Sequence, residues 1–435
     1  MNWQELLFQN ESLILTLLRF GNYKKDRMQF RLFEKSVYEN RRSVLKRNVG
    51  SGLIVLMGNE ESSMNYEHNW YPYRQDSNFL YYFGLNTTGL AAVIDIESGE
   101  EIIFGNELTI DDVVWTGALP SISEMALEVG VTVTRPYNAI EQAIRAALAS
   151  GRKVHILPPY RPENKIKLSE WFRVPVRGLD ELVSVTLIKA IVSQRSYKEA
   201  REVAEMHQAT LTSGKMHLAA MRYAKPGMKE YEVMAKVKEV AHANNSSISF
   251  NPIVTIHGET LHNLYSANTI RDGQMILCDA GASNDMNYAG DLTCTFPVGE
   301  KFTSKQKDVY EIVLNSHNAA IAMLKPGVLY KDVYLTACQK IVEGMQSLGL
   351  MKGNAQDAVA AGAHALFFQC GLGHMIGLDV HDMEDLGDTQ FGMKSFGIRV
   401  EEDFLITEEG YQQIGERLPI TVDEVEAVRA DYEQF

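Results

Sequence analysis

Residues 275–298 read MILCDAGASNDMNYAGDLTCTFPV. The apolar run Met275–Cys278 leads into Asp279, the segment 283–286 forms a turn, and the residues beyond it alternate. On a strand, Asp291, Thr293 and Thr295 share one face while Leu292, Cys294 and Phe296 share the other. A hairpin of this kind brings Asp279 and Asp291 together. A carboxylate within a buried apolar strand is costly unless it is paired or binds a metal. A cap at the strand end is the other reading of Asp279. Two carboxylates at one point repel unless a proton or a cation lies between them, and a divalent cation is the common answer.

Two later stretches belong with this hairpin. Residues 371–382 read GLGHMIGLDVHD and place His374 and His381 in a glycine-rich apolar setting, where a single histidine is more often a satisfied core residue. Residues 397–407 read GIRVEEDFLIT. A strand there puts Arg399, Glu401 and Asp403 on one face and Val400, Glu402 and Phe404 on the other. Taken alone, Arg399 and Glu401 read equally well as a surface ion pair. Asp279, Asp291, His374 and Glu401 together are hard oxygen donors with one imidazole. That set suits Mn²⁺, Co²⁺, Fe²⁺ or Zn²⁺ rather than a thiolate site.

Working outward, apolar runs at 53–57, 90–96 and 102–105 predict strands, with shorter ones at 132–134 and 153–157. Helices are predicted over 29–48, 122–129, 139–149 and 178–194. A long amphipathic helix is predicted over 197–223, with Val203, Met206, Leu211, Met216 and Leu218 among its apolar positions. An internal repeat follows: KPGMKEYEV at 225–233 and KPGVLYKDV at 325–333, offset by 100 residues. Each copy ends one long helix, starts another and is followed by a glycine-rich, strand-like stretch. Two related halves with a site at their interface are expected.

At 435 residues the chain is long enough for two domains. A formal net charge of −14 argues against a general binder of nucleic acid or anionic membrane. Four cysteines without a C-x-x-C pair make no disulfide framework and fit reduced thiols in the cytoplasm. No apolar run reaches the ~18–20 residues of a membrane span. The stretch 12–18 lacks the basic flank and small-residue site of a signal peptide.

DAGA, YAGDLTCTFPV, GLGHMIGLDVHD and GIRVEED, in this order, resemble the proline-specific branch of the pita-bread metallopeptidases, the Xaa-Pro aminopeptidases and prolidases. YPYRQDSNFLYYFGL at 71–85 resembles the hallmark of the aminopeptidase P N-terminal domain. The resemblance implies an α/β (α+β) chain. It would comprise an N-terminal extension (1–27), a creatinase-like α/β domain (28–180) and a pseudo-two-fold pita-bread catalytic domain (181–435). It implies two divalent ions, Mn²⁺ foremost, with Asp279 on the first, Asp291 and Glu401 bridging, and His374 on the second. His262 and His381 match histidines that contact substrate, Arg399 an arginine of the proline-specific branch, and Glu401 is a candidate for handling the proton. The implied reaction is hydrolysis of the N-terminal Xaa-Pro bond by a metal-bound hydroxide in a cytoplasmic homo-oligomer, a dimer or tetramer.

Two departures stand out. Cys370 occupies the place of a family histidine four residues before His374. Between the HD motif and GIRVE the family also has a T-V-E-P-G strand whose glutamate is a further ligand. Here only residues 382–396 separate His381 from Gly397, and none matches that strand. Several tens of residues are thus expected to be missing near Ser395–Phe396, through true deletion or loss from this version of the sequence. A metal-poor pseudoenzyme binding peptides or partners through the same cleft is the rival reading. A metal-free relative acting on creatine-like compounds is a third, disfavoured because the other ligand positions are filled.

Overall fold

The computed structural model describes residues 30–384 and 398–431. The extension 1–27 and the junction at 395–396 lie outside the described residues. The chain divides into two compact units, Met1–Gln194 and Arg195–Phe435.

The first unit contains, in order, α1 (Lys35–Val49), β1 (Leu53–Met57), α2 (Ser77–Phe83), β2 (Ala91–Asp95), β3 (Glu101–Phe104), α3 (Ile110–Thr116), α4 (Ile122–Glu128), β4 (Val133–Arg135), α5 (Ile140–Ala149), β5 (Val154–His155), α6 (Pro162–Phe172) and α7 (Val185–Arg195). Its sheet runs β4-β3-β2-β1-β5, with β1 antiparallel to β2 and parallel to β5. The central strands are apolar runs because both of their faces are covered. Asp76 starts α2 by accepting from the amides of Asn78 and Phe79, and left-handed Gly84 ends it against Tyr38. The helix expected over 178–194 is split. Residues 176–182 form a tighter 3-10 turn, Val183 is extended, and α7 begins only after Ser184, whose hydroxyl accepts from the Leu187 amide.

The second unit contains α8 (Ala200–Tyr223), α9 (Glu230–Ala243), β6 (Ser247–Ile248), β7 (Ile253–Thr255), β8 (Met275–Ala280), β9 (Ala282–Ser283), β10 (Leu292–Pro297), α10 (Ser304–Ile321), α11 (Tyr330–Ser347), α12 (Ala355–Ala360), β11 (Phe404–Thr407), β12 (Gly410–Gln413) and α13 (Val422–Ala430). The three-stranded sheet runs β10-β8-β7, all antiparallel. The repeat is visible in the backbone: Gly227 and Gly327 are both left-handed, and α9 and α11 begin 100 residues apart. The strand-like stretch expected after each copy follows only α9. After α11 come α12 and a 3-10 turn at 363–366, with no strand among the described residues before β11.

The buried face of α8 departs from its apolar pattern. Met206 and Met216 are buried, but Val203, Leu211 and Leu218 are only half-buried, while Thr210, Ser213 and His217 are inside. Small and polar residues occupy that face because the strands approach it closely. A β-carbon at Gly290 would lie 2.8 Å from Thr210 backbone atoms, and Ser213 Oγ accepts from the Ala282 amide at 2.9 Å.

Candidate metal centre

In the β8–β10 ladder Asp279 lies opposite Thr293, and Asp291 precedes β10 on the same face as Thr293. A third segment, Ile398–Asp403, runs beside β10. Glu401 and Thr293 exchange backbone hydrogen bonds of 3.0 and 3.3 Å, and Thr293 Oγ1 donates to Glu401 Oε2 at 2.9 Å. Thr295 Oγ1 accepts from the Arg399 amide and donates to the Arg399 carbonyl. The two inward threonines thus fix the register of the segment that carries Glu401. The strand expected over 397–407 is regular only from Phe404.

Ligand atoms of Asp291, His374 and Glu401 all lie within 4.8 Å of one another. His374 Nε2 is 3.4 Å from Asp291 Oδ2, while Nδ1 lies 3.0 Å from the Met375 carbonyl. A proton on Nδ1 donated to that carbonyl leaves Nε2 facing the carboxylates, the outer hydrogen bond common to metal-bound histidines. Asp291 Oδ1 is buried with no hydrogen-bond partner, an unsatisfied acceptor that a cation would satisfy. The residues present therefore fit a divalent ion. Asp279 stands outside this triangle, with Arg399 Nη2 only 2.5 Å from its Oδ2. Arg399 also donates to the Leu261 carbonyl, at 3.4 Å.

Electrostatics tell the same story. Burial, then the charges of Asp291 and Asp279, push the Glu401 carboxyl up to about 8. Burial and the Asp291 charge push Asp403 up to about 7. Asp279 is raised to about 6 by burial and Asp291, against the pull of Arg399. Burial lowers His374, but its bonds to Asp291 and Met375 outweigh that and raise it to about 9. Without a cation, the carboxylates crowd one another and retain protons.

The sign of the pH effect follows. Above about pH 6.5 the metal-free fold retains protons on Glu401, Asp403 and His374 that the unfolded chain has lost. Stability should therefore fall as the pH rises from about 6.5 to 8, by up to about 1.4 kcal/mol per pH unit for each titrating group. Thermal melts of metal-stripped protein across this window should show the decline, and saturating Mn²⁺ should remove it. A flat or rising profile without metal would mean that the carboxylates are not packed together.

The remaining predicted residues surround this cluster. His381 stacks on His374 with ring centroids 3.8 Å apart and a 12° interplanar angle. His262 is exposed on the 256–268 loop and acts electrostatically on His381. Burial raises the Cys370 thiol, and the charges of Arg399 and Glu401 also act on it, placing it near the site. Three supporting residues escape a reading of the sequence. Asp403 accepts from Thr210 Oγ1 at 2.9 Å and from the Asp291 amide at 3.1 Å; its alternation with Glu401 was the available signal. Buried Asp382 pairs with Arg195 and Lys198 and accepts no β-carbon at Gly377, which fastens the histidine loop. Fully buried Glu230 accepts from Thr255, Ile256 and Asn268, holding both ends of the loop that carries His262.

The family model for metallopeptidase family M24 matches residues 204–407, the stretch that contains every residue of this cluster. The model for the aminopeptidase P N-terminal domain matches residues 38–157. The chain belongs to metallopeptidase family M24. Among curated relatives of this M24 chain, the Xaa-Pro aminopeptidase of Escherichia coli (strain K12) is 27% identical, over 90% of this chain and 97% of its own length. A probable Xaa-Pro aminopeptidase of Fusarium vanettenii is 31% identical over 72% of this chain and 66% of its own. The human Xaa-Pro dipeptidase is 29% identical over 76% and 68%. Among solved structures, aminopeptidase PepP of Pseudomonas aeruginosa matches with a TM-score of 0.82 at 26% identity, covering 93% of this chain and 99% of that one. The M24 chain therefore has an aminopeptidase P N-terminal domain followed by a pita-bread catalytic domain.

Proposed function

We propose that Asp291, His374 and Glu401 hold the divalent ion with which this metal-dependent Xaa-Pro exopeptidase cleaves the N-terminal residue from a peptide with proline second. The convergence of these three side chains around the unpartnered Asp291 oxygen carries the reading. When bound, the ion polarises the scissile carbonyl and activates water. Glu401, whose Oε2 accepts from Thr293 Oγ1, takes the proton and passes it to the leaving proline nitrogen. His262, whose charge acts on His381, and His381, stacked on His374, contact the substrate backbone. Asp403 anchors the Asp291 backbone, and Arg399 holds Asp279 and the loop at Leu261.

The carboxylate–imidazole donor set suits Mn²⁺, Co²⁺, Fe²⁺ or Zn²⁺, and the family resemblance puts Mn²⁺ first. A cytoplasmic homo-oligomer is the accompanying expectation from family resemblance, checked by fractionation and light scattering. No described helix is long and apolar enough to cross a membrane. With Mn²⁺, purified protein should release the first residue from an Xaa-Pro-Yaa peptide far faster than from its Xaa-Ala-Yaa counterpart. Equal rates on the two would end the proline-specific reading.

Arg399→Ala is expected to lower kcat/KM on the proline peptide roughly 10–100-fold, the usual effect of losing a partner of the ligand shell. Bound Mn²⁺ per chain should be unchanged, since Arg399 holds Asp279 rather than the three converging ligands. Undiminished turnover would make the Arg399–Asp279 pair merely structural.

A further inference from the structure

On the opposite face of β8 and β10 from the carboxylates lies a second constellation. Cys278 and Cys294 are directly opposed in the antiparallel ladder. His217 of α8 reaches them, with Nδ1 3.1 Å from Cys294 Sγ. One ligand atom from each of the three lies within 4.8 Å of the other two, and none of the residues is more than 2% exposed. Strand alternation turns these sulfurs away from Asp279 and Thr293, so the hydrolytic chemistry makes no use of them.

We propose that His217, Cys278 and Cys294 form a second metal site, for a soft d¹⁰ cation, Zn²⁺ foremost, distinct from the carboxylate centre. Two sulfurs and an imidazole are the donors such ions select, whereas carboxylates suit the harder ion of the catalytic cluster. The histidine is already oriented: Nε2 lies 2.9 Å from the Ala280 carbonyl. A proton on Nε2 donated to that carbonyl turns the Nδ1 lone pair toward the sulfurs, as carbonyl-bonded metal-ligand histidines do. The surroundings include Met216, Ile276, Leu292 and Phe296, all essentially inaccessible. An ion survives in such a core only if its charge is offset. Two thiolates neutralise Zn²⁺ completely, and each thiol releases one proton as its Zn–S bond forms, two per ion. Bonds of about 2.0 Å to nitrogen and 2.3 Å to sulfur require an N···S separation of roughly 3.5–3.7 Å. The present 3.1 Å contact must therefore open by a few tenths of an ångström. Burial of all three donors means that the ion enters while the chain folds.

Co²⁺ reports thiolate ligation directly, through sulfur-to-metal charge-transfer absorption in the near ultraviolet that a carboxylate–imidazole centre lacks. The full chain, produced in Co²⁺-supplemented medium and dialysed against EDTA, should show this absorption and retain about one Co²⁺ per chain. Cys278→Ser and Cys294→Ser should each abolish the absorption and the retained ion. Circular dichroism would show whether these variants are folded. Cys370→Ala should keep both, although Cys370 lies near the catalytic cluster. Absence of the absorption from the wild-type protein overturns the proposal without recourse to any variant. So does its survival in both serine variants, or its loss in Cys370→Ala. A wild-type chain two mass units light until reduced, holding no cobalt, would show that the pair is a disulfide instead.

Discussion

Glu401→Gln is expected to lower kcat on an Xaa-Pro peptide by roughly 10²–10⁴-fold, the range supplied by a positioned proton-transfer group. The change is nearly isosteric, so the Thr293 contact at 2.9 Å and the backbone pairing between Glu401 and Thr293 should persist. It removes a carboxylate that burial and the Asp291 and Asp279 charges force up to about 8. The two measurements should therefore move in opposite directions. Turnover collapses, while the metal-free protein becomes more stable near pH 8, because no charge has to form there. A variant that keeps its turnover, or that melts earlier than the parent at pH 8 without metal, would remove Glu401 from the centre.

Mn²⁺ titration of metal-stripped protein by calorimetry is expected to resolve one tight site and a second at least 10–100-fold weaker, the scale on which lost ligand-shell groups act. The described ligand triangle is Asp291, His374 and Glu401, with Asp279 held by Arg399 alongside. The family resemblance implies a further glutamate ligand, and residues 382–396 do not match the strand expected to carry it. Two dications there would share one fewer negative charge, and their mutual repulsion raises the cost of the second. Activity should accordingly climb with Mn²⁺ well past one equivalent. Two equally tight sites with full turnover at stoichiometric metal would show that another residue replaces the glutamate. One site with no turnover at any Mn²⁺ concentration would favour the peptide-binding pseudoenzyme.

Much of the site was legible because strand alternation is a local property. The two-residue period of 288–298 places Asp291, Thr293 and Thr295 on one face, and the same period pairs Arg399 with Glu401 and Asp403. The repeat of Lys-Pro-Gly at 225 and 325 likewise marked two helix starts, since a left-handed glycine is a local requirement. The amphipathic reading of α8 held for the helix and for Met206 and Met216, but Val203, Leu211 and Leu218 are only half-buried, for an equally physical reason. Hydrophobicity identifies a buried position only where it meets other apolar groups; Met216 does, but Thr210 and Ser213 meet Asp403, Ala282 and Gly290.

Local periodicity alone places the acidic residues on shared strand faces, where a proton or a cation must lie between neighbouring carboxylates. Only the tertiary structure decided the partners: Arg399 on Asp279, Asp403 on the Asp291 amide, Arg195 and Lys198 on Asp382, and His217 on Cys294. Those contacts join residues 77 to 187 positions apart. No periodic pattern reaches that far, because such pairs are selected by the packing of whole elements and by the penalty for leaving a buried charge without a partner.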